Sequence, residues 1–150
     1  LYMTLTRANL ESLLVKRCGG LMSLVDMAVT TAGANADLND PLQYALRYGE
    51  YEVADITSVS NSDIAEVEDA DIDLILDVAE LRLLENIQGN FNLVDITNGP
   101  ESEKYSQAAN VIEKRLSRLQ DKVDSYYPAP STYAMLSVPV GRTDAYNADE

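Results

Sequence analysis

Seven residues near the end of the chain constrain its fold more than any others. Tyr105, Ala109, Ile112, Leu116, Leu119, Val123 and Tyr126 follow at spacings of four, three, four, three, four and three. That alternation is the seam of an α-helix repeating every seven residues, and no strand can present it. The helix is expected to begin near Pro100, after the turn Asn98-Gly99-Pro100, and to end at Pro128. Glu113, Lys114, Arg115, Arg118, Asp121 and Lys122 fall off the seam, where they can pair along an exposed face. Two destinations are open to the seam: the domain's own core, or a neighbouring copy. A helix projecting past the core satisfies both.

The rest of the chain follows the same period. Thr6 is placed to cap a first helix running to about Arg17, with Leu10, Leu13, Leu14 and Val15 on one side and Gly19-Gly20 as its stop. Leu21, Leu24, Val25 and Ala28 predict a second short helix over residues 21–29, followed by a loop of small residues. Asp40-Pro41 opens a helix that Gly49 closes. On and just beyond it, Tyr44, Tyr48 and Tyr51 are spaced four and three. Asn61-Ser62-Asp63 caps an acidic helical region. Ile72, Ile75, Leu76, Ala79, Leu83 and Ile87 then form an apolar stripe, with Gly89-Asn90 as its end. The predicted fold is all-α: a small bundle of four to five helices over residues 1–127, with a long C-terminal helix. Residues 128–150 are predicted to be an extended C-terminal arm, stiffened by Pro128 and Pro130 and carrying the strand-like run around Met135, Leu136 and Val138. Two readings of this segment stand open: an arm that docks on a partner, for which adding an edge strand is one route, or a frayed terminus.

Charge narrows the function classes. The 150 residues carry 25 Asp and Glu against 11 Lys and Arg, a net charge of −14, and no histidine. Twelve of the acids lie between positions 50 and 85, opposed only by Arg82, whereas residues 101–125 hold five acids and five bases. Gripping nucleic-acid phosphates takes surplus Lys and Arg, so direct binding of DNA is excluded as the main activity. The absence of histidine removes the commonest general base and metal ligand. The lone cysteine, Cys18, reads as a small buried hydrophobe and suits a reducing compartment. No apolar run approaches the length of a membrane span, and the first residues lack the pattern of a signal peptide.

The motifs that could carry chemistry are weak. Acids from Asp69 onward fall at positions 1, 3, 5, 9 and 12 of a calcium loop, but position 6, which must turn sharply, is Leu74 rather than glycine. The helical stripe through the same residues argues for helix. Gly19-Gly20 lacks the lysine of a phosphate loop. Paired carboxylates need a cleft that desolvates one of them, and these crowd a helical surface. The expectation is therefore a non-enzyme that needs no cofactor or metal.

Four stretches give the chain a family likeness: Leu5-Thr6-Arg7-Ala8-Asn9-Leu10-Glu11, Leu38-Asn39-Asp40-Pro41, Asp77-Val78-Ala79-Glu80-Leu81-Arg82-Leu83-Leu84-Glu85, and Glu113-Lys114-Arg115-Leu116. In their order and patterning the chain, over roughly residues 4–127, resembles the head–tail adaptor (connector) proteins of long-tailed double-stranded DNA bacteriophages and gene transfer agents. The resemblance implies a helical subunit of a homo-oligomeric ring, typically twelve-fold, in the virion neck. The ring would join the portal protein to the stopper or tail-completion protein, and DNA would pass through its centre without specific binding. Such a protein is made in the host bacterial cytoplasm. On that reading the interface candidates are Tyr44, Tyr48, Tyr51, Arg115, Arg118 and Tyr126, with Tyr133, Met135, Leu136 and Val138 of the arm. The acids expected to face the lumen are Glu66, Glu68, Asp69, Asp71 and Asp73. The rival reading is an acidic helical binding module or DNA mimic that occupies a basic protein surface.

Overall fold

The computed structural model describes residues 4–91 and 100–126, with the side chains of the last helix from Tyr105 onward. Among the described residues there are five α-helices and no strand: α1 Arg7–Leu24, α2 Asn39–Tyr48, α3 Asn61–Ala65, α4 Ile72–Phe91 and α5 Pro100–Tyr126. Short 3-10 turns, Ala36–Leu38 and Asp69–Asp71, lead into α2 and α4. The all-α expectation is met.

The bundle is built around α4. Residues 74–81 are buried without a break, which only a helix covered on every side can be. α2 lies antiparallel along it, with Asp40 meeting Arg82 at one end and Gly49 against Ile75 at the other. α5 runs antiparallel to α4 as well: Tyr105 packs edge-on against Phe91, and Lys122 reaches Asp77. α1 completes the cover and is antiparallel to α5, because the Tyr105 hydroxyl reaches the Leu24 carbonyl while Arg115 reaches that of Arg17. The seam of α5 therefore faces the domain's own core. Of the seam residues, Ile112, Leu119 and Val123 are buried and Tyr105 and Leu116 are partly buried against the core; Ala109 is half-buried, its neighbour Ala108 being the buried one, and Tyr126 is exposed.

Two predicted helix ends are corrected. α1 does not stop at Gly19-Gly20, and residues 21–29 are not a separate helix: α1 continues to Leu24 and then turns. Cys18 and Met22, on either side of the glycines, are both buried, so core contacts outweigh the cost of about 1 kcal/mol per helical glycine. The helix ends where Met27 N–H bonds the Met22 carbonyl and Asp26 adopts φ 59°, a left-handed closing turn. Likewise α4 passes through Gly89-Asn90 to Phe91, drawn on by buried Ile87 and by Phe91 itself. At the end of α2, Gly49 is the cap as expected, yet the left-handed residue is Glu50, with φ 67°. Gly49 also leaves room for a neighbour: a Cβ there would sit 2.9 Å from Ile75 Cδ1 and displace the end of that side chain.

The acidic region of residues 61–71 is shorter in helix than expected. Ser60, not Asn61, caps α3, in a reciprocal box with Asp63. The segment then breaks before the 3-10 turn that precedes α4. Residues 128–150, which include the arm candidates Tyr133, Met135, Leu136 and Val138, lie outside the described residues.

Candidate assembly surfaces

Among the described residues, Arg7, Arg17, Arg82, Arg115 and Lys122 are engaged within the molecule, whereas Lys16, Arg47, Lys114 and Arg118 are exposed. Arg7 is buried at the start of α1. Its guanidinium donates to Asn39 Oδ1, the Val59 carbonyl (2.8 Å) and the Asn35 carbonyl (2.6 Å), stitching α1 to the loops before and after α2. Glu11, one turn on, accepts from the Asn35 backbone N–H. Arg82 pairs with Asp40 at 2.8 Å and lies over the Tyr44 ring.

A second cluster joins the three long helices. Asp77 of α4 is 2% exposed and Glu80 is 6% exposed. Arg17 of α1 donates to both, at 3.2 and 2.9 Å. From α5, Arg115 donates to Glu80 at 2.6 Å, Lys122 pairs with Asp77 at 2.9 Å, and the Tyr126 hydroxyl donates to Asp77 at 3.0 Å. The electrostatics follow the geometry. Burial opposes the charge on Arg17, but Glu80 and Asp77 together hold its pKa above the ordinary value. The Asp77 carboxylate raises that of Lys122. Burial, then Asp77, pushes up that of Tyr126. Burial takes the Cys18 thiol beneath this cluster up to about 11.

The interface candidates separate accordingly. Arg115 and Tyr126 are engaged within the molecule. Arg118 is exposed. Tyr44 is exposed on the outer side of α2, its ring 6.5 Å from that of Tyr48, which is partly buried against the core. Tyr51 leaves the helix. Its hydroxyl donates to Asp71 and accepts from the Glu68 backbone N–H, tying the loop after α2 to the turn before α4.

The lumen candidates sit beside that tie. Glu66, Glu68, Asp69 and Asp73 are exposed, whereas Asp71 is half-buried and held by Tyr51. Glu50, Glu52 and Glu66 line an open depression of about 480 Å³ together with Tyr51, Val53 and Asp63. Asp63 belongs to the α3 cap, and the Ser60 backbone N–H holds its pKa below the usual carboxylate value. Of the twelve acids between positions 50 and 85, then, Asp77 and Glu80 are neutralised inside and Asp63 caps a helix. The negative surface comes chiefly from the loop and turn segments over residues 50–73. Among the described residues no cluster of His, Cys, Asp or Glu is arranged to hold a metal ion. Among the described residues no helix is long and apolar enough to cross a membrane.

No protein-family model, curated protein or solved structure matches the chain.

Proposed function

We propose that this chain is the subunit of a head-to-tail adaptor ring, a structural virion protein that sits between portal and stopper and lets DNA pass. The reading rests on the sequence resemblance. The observation that best supports it is the division of charge: cations are drawn into the bundle to neutralise Asp77 and Glu80, while Glu66, Glu68, Asp69 and Asp73 stay exposed together. Repeated around a ring, such an edge makes a negative collar, which repels phosphates and conducts a duplex without holding it. The helical bundle is also the fold the resemblance implies.

Negative-stain imaging of the chain mixed with the portal protein of the same phage tests this. A ring stacked on the portal is the expected result; portal particles without one would reject the proposal. The rival acidic module is separated in the same preparation, because a DNA mimic stays monomeric and displaces DNA from a basic protein.

A further inference from the structure

α5 closes at the same end of the bundle as an open depression that the following residues of the chain can reach. The Tyr126 hydroxyl sits 3.0 Å from Asp77, in the second turn of α4. α2 ends two residues earlier along α4, where Gly49 lies against Ile75, and Tyr51 reaches on to Asp71. Both ends therefore lie at the start of α4. Just past Gly49, a depression of about 520 Å³ is lined by Arg47, Glu50, Tyr51, Glu52, Val53 and Ile56. Tyr51 and Val53 pack partly on the core, and Ile56 is 59% exposed. Arg47, Glu50 and Glu52 rim it with exposed charge of both signs. None of Glu66, Glu68, Asp69 or Asp73 lines it.

We infer that residues 133–144 of the same chain seat in this depression. Reach is the first observation that selects them. α2 and α5 lie on opposite sides of α4, since Ile75 and Arg82 face α2 whereas Asp77 and Glu80 face α5. Two interhelical spacings are roughly 20 Å, which about six extended residues span. Residues 127–132 cover that distance and bring Tyr133 to the depression. Complementary chemistry is the second. Residues 127–141 hold no charged side chain, and Met135, Leu136, Val138 and Val140 offer apolar groups to Tyr51, Val53 and Ile56. Arg142 then meets Glu50 and Glu52. Asp144, two residues on and so on the same side of an extended chain, meets Arg47. The seat covers surface that is already folded, so docked and released tails exchange at comparable population and the bundle does not depend on the tail. A partner that takes the tail uncovers the depression. The contact goes beyond the adaptor reading and stands without it.

Nuclear magnetic resonance of the intact, isotope-labelled chain tests this, with a nitroxide on Ser137→Cys. Cys18 is buried, so the nitroxide goes to the new cysteine. The oxidised nitroxide is expected to broaden the amide signals of Glu52, Val53 and Ile56 at least about twofold against its reduced form. It spares Leu13, Val29 and Val111, the exposed apolar residues elsewhere on the surface. Glu52→Gln/Ile56→Ser, both exposed, removes the broadening and keeps the circular dichroism of the wild type. Arg142→Gln weakens it, as does high salt. Nitroxide chains without isotope, mixed with isotope-labelled chains without nitroxide, leave the same signals sharp. No broadening in the intact chain, equal broadening of Leu13, Val29 or Val111, broadening that survives the double variant, or broadening between chains of the mixture overturns the inference. A chain that fails these tests can still form a ring on the portal, and one that forms no ring can still seat its tail, so the two readings fail separately.

Discussion

Asp77 shows how a single side chain organises this molecule. It lies nearly 98% out of water and receives Arg17, Lys122 and Tyr126. A buried carboxylate without partners costs several kcal/mol, so its donors are part of the fold and not decoration. Arg17 is the shared partner: among the described residues it alone touches both Asp77 and Glu80. Arg17→Met is expected to cost about 2–3 kcal/mol, discounted from the fully buried case because Arg17 is a third exposed and Lys122 and Arg115 remain. Arg118→Met on the open surface should stay within about 0.5 kcal/mol. Urea unfolding of the two variants checks the contrast. Cys18 gives a second reading of the same place. With its thiol held at about 11 and its side chain buried, it should resist a thiol reagent near pH 8 in the folded protein and react at once after unfolding. Native reactivity equal to the unfolded rate would contradict this placement.

At the scale of elements, the ends of α1 and α2 share one device. Both close with a bond to the carbonyl five residues back, and in both the left-handed position falls on an acid, Asp26 or Glu50, rather than on a nearby glycine. Glu50→Gly should therefore raise stability by about 1 kcal/mol, because glycine adopts that backbone without strain. Gly49→Ala should lower it, since the new Cβ presses on Ile75. Thermal melting of the pair gives opposite signs if the assignment holds. These positions also show what the sequence could reveal. The periods of α2, α4 and α5 were legible because their apolar residues repeat without interruption. The end of α1 was not, because Gly19-Gly20 has the composition of a stop while Cys18 and Met22 on either side are core. The buried ionic cluster left a signal that periodicity overlooks: Asp77 and Glu80 stand inside a run that is apolar all round, so no face of α4 was available to expose them. Their partners, from α1 and α5, could be known only once the helices were packed.

For the whole molecule, the acid side of the stability curve belongs to the carboxylates whose pKa is lowered in the fold. Arg82 does this for Asp40, aided by Asn86, and Ser60 does it for Asp63. For a lowered carboxylate, the folded state binds fewer protons than the unfolded one. The stabilisation is complete above the ordinary value of 3.8 and is lost as pH falls through the lower folded value. Asp40→Asn should flatten the decline of melting temperature in that acid range and change little at neutral pH, where a half-exposed pair contributes less than about 1 kcal/mol. Removal of residues 128–150 should leave the melting temperature and helical content unchanged, because the core closes with Ile112, Leu119 and Val123; a truncated chain that unfolds would refute that boundary.

The last turn of α5 also has a mechanical meaning. Lys122 and Tyr126 fasten it to Asp77 near the start of α4, and Arg17 fastens Asp77 to α1. Tension drawn from beyond Tyr126 therefore does not begin by peeling a loose end. It is delivered at once to the most deeply covered helix and, through Arg17, to α1, as a cable clamp passes load to the frame before the wire can fray.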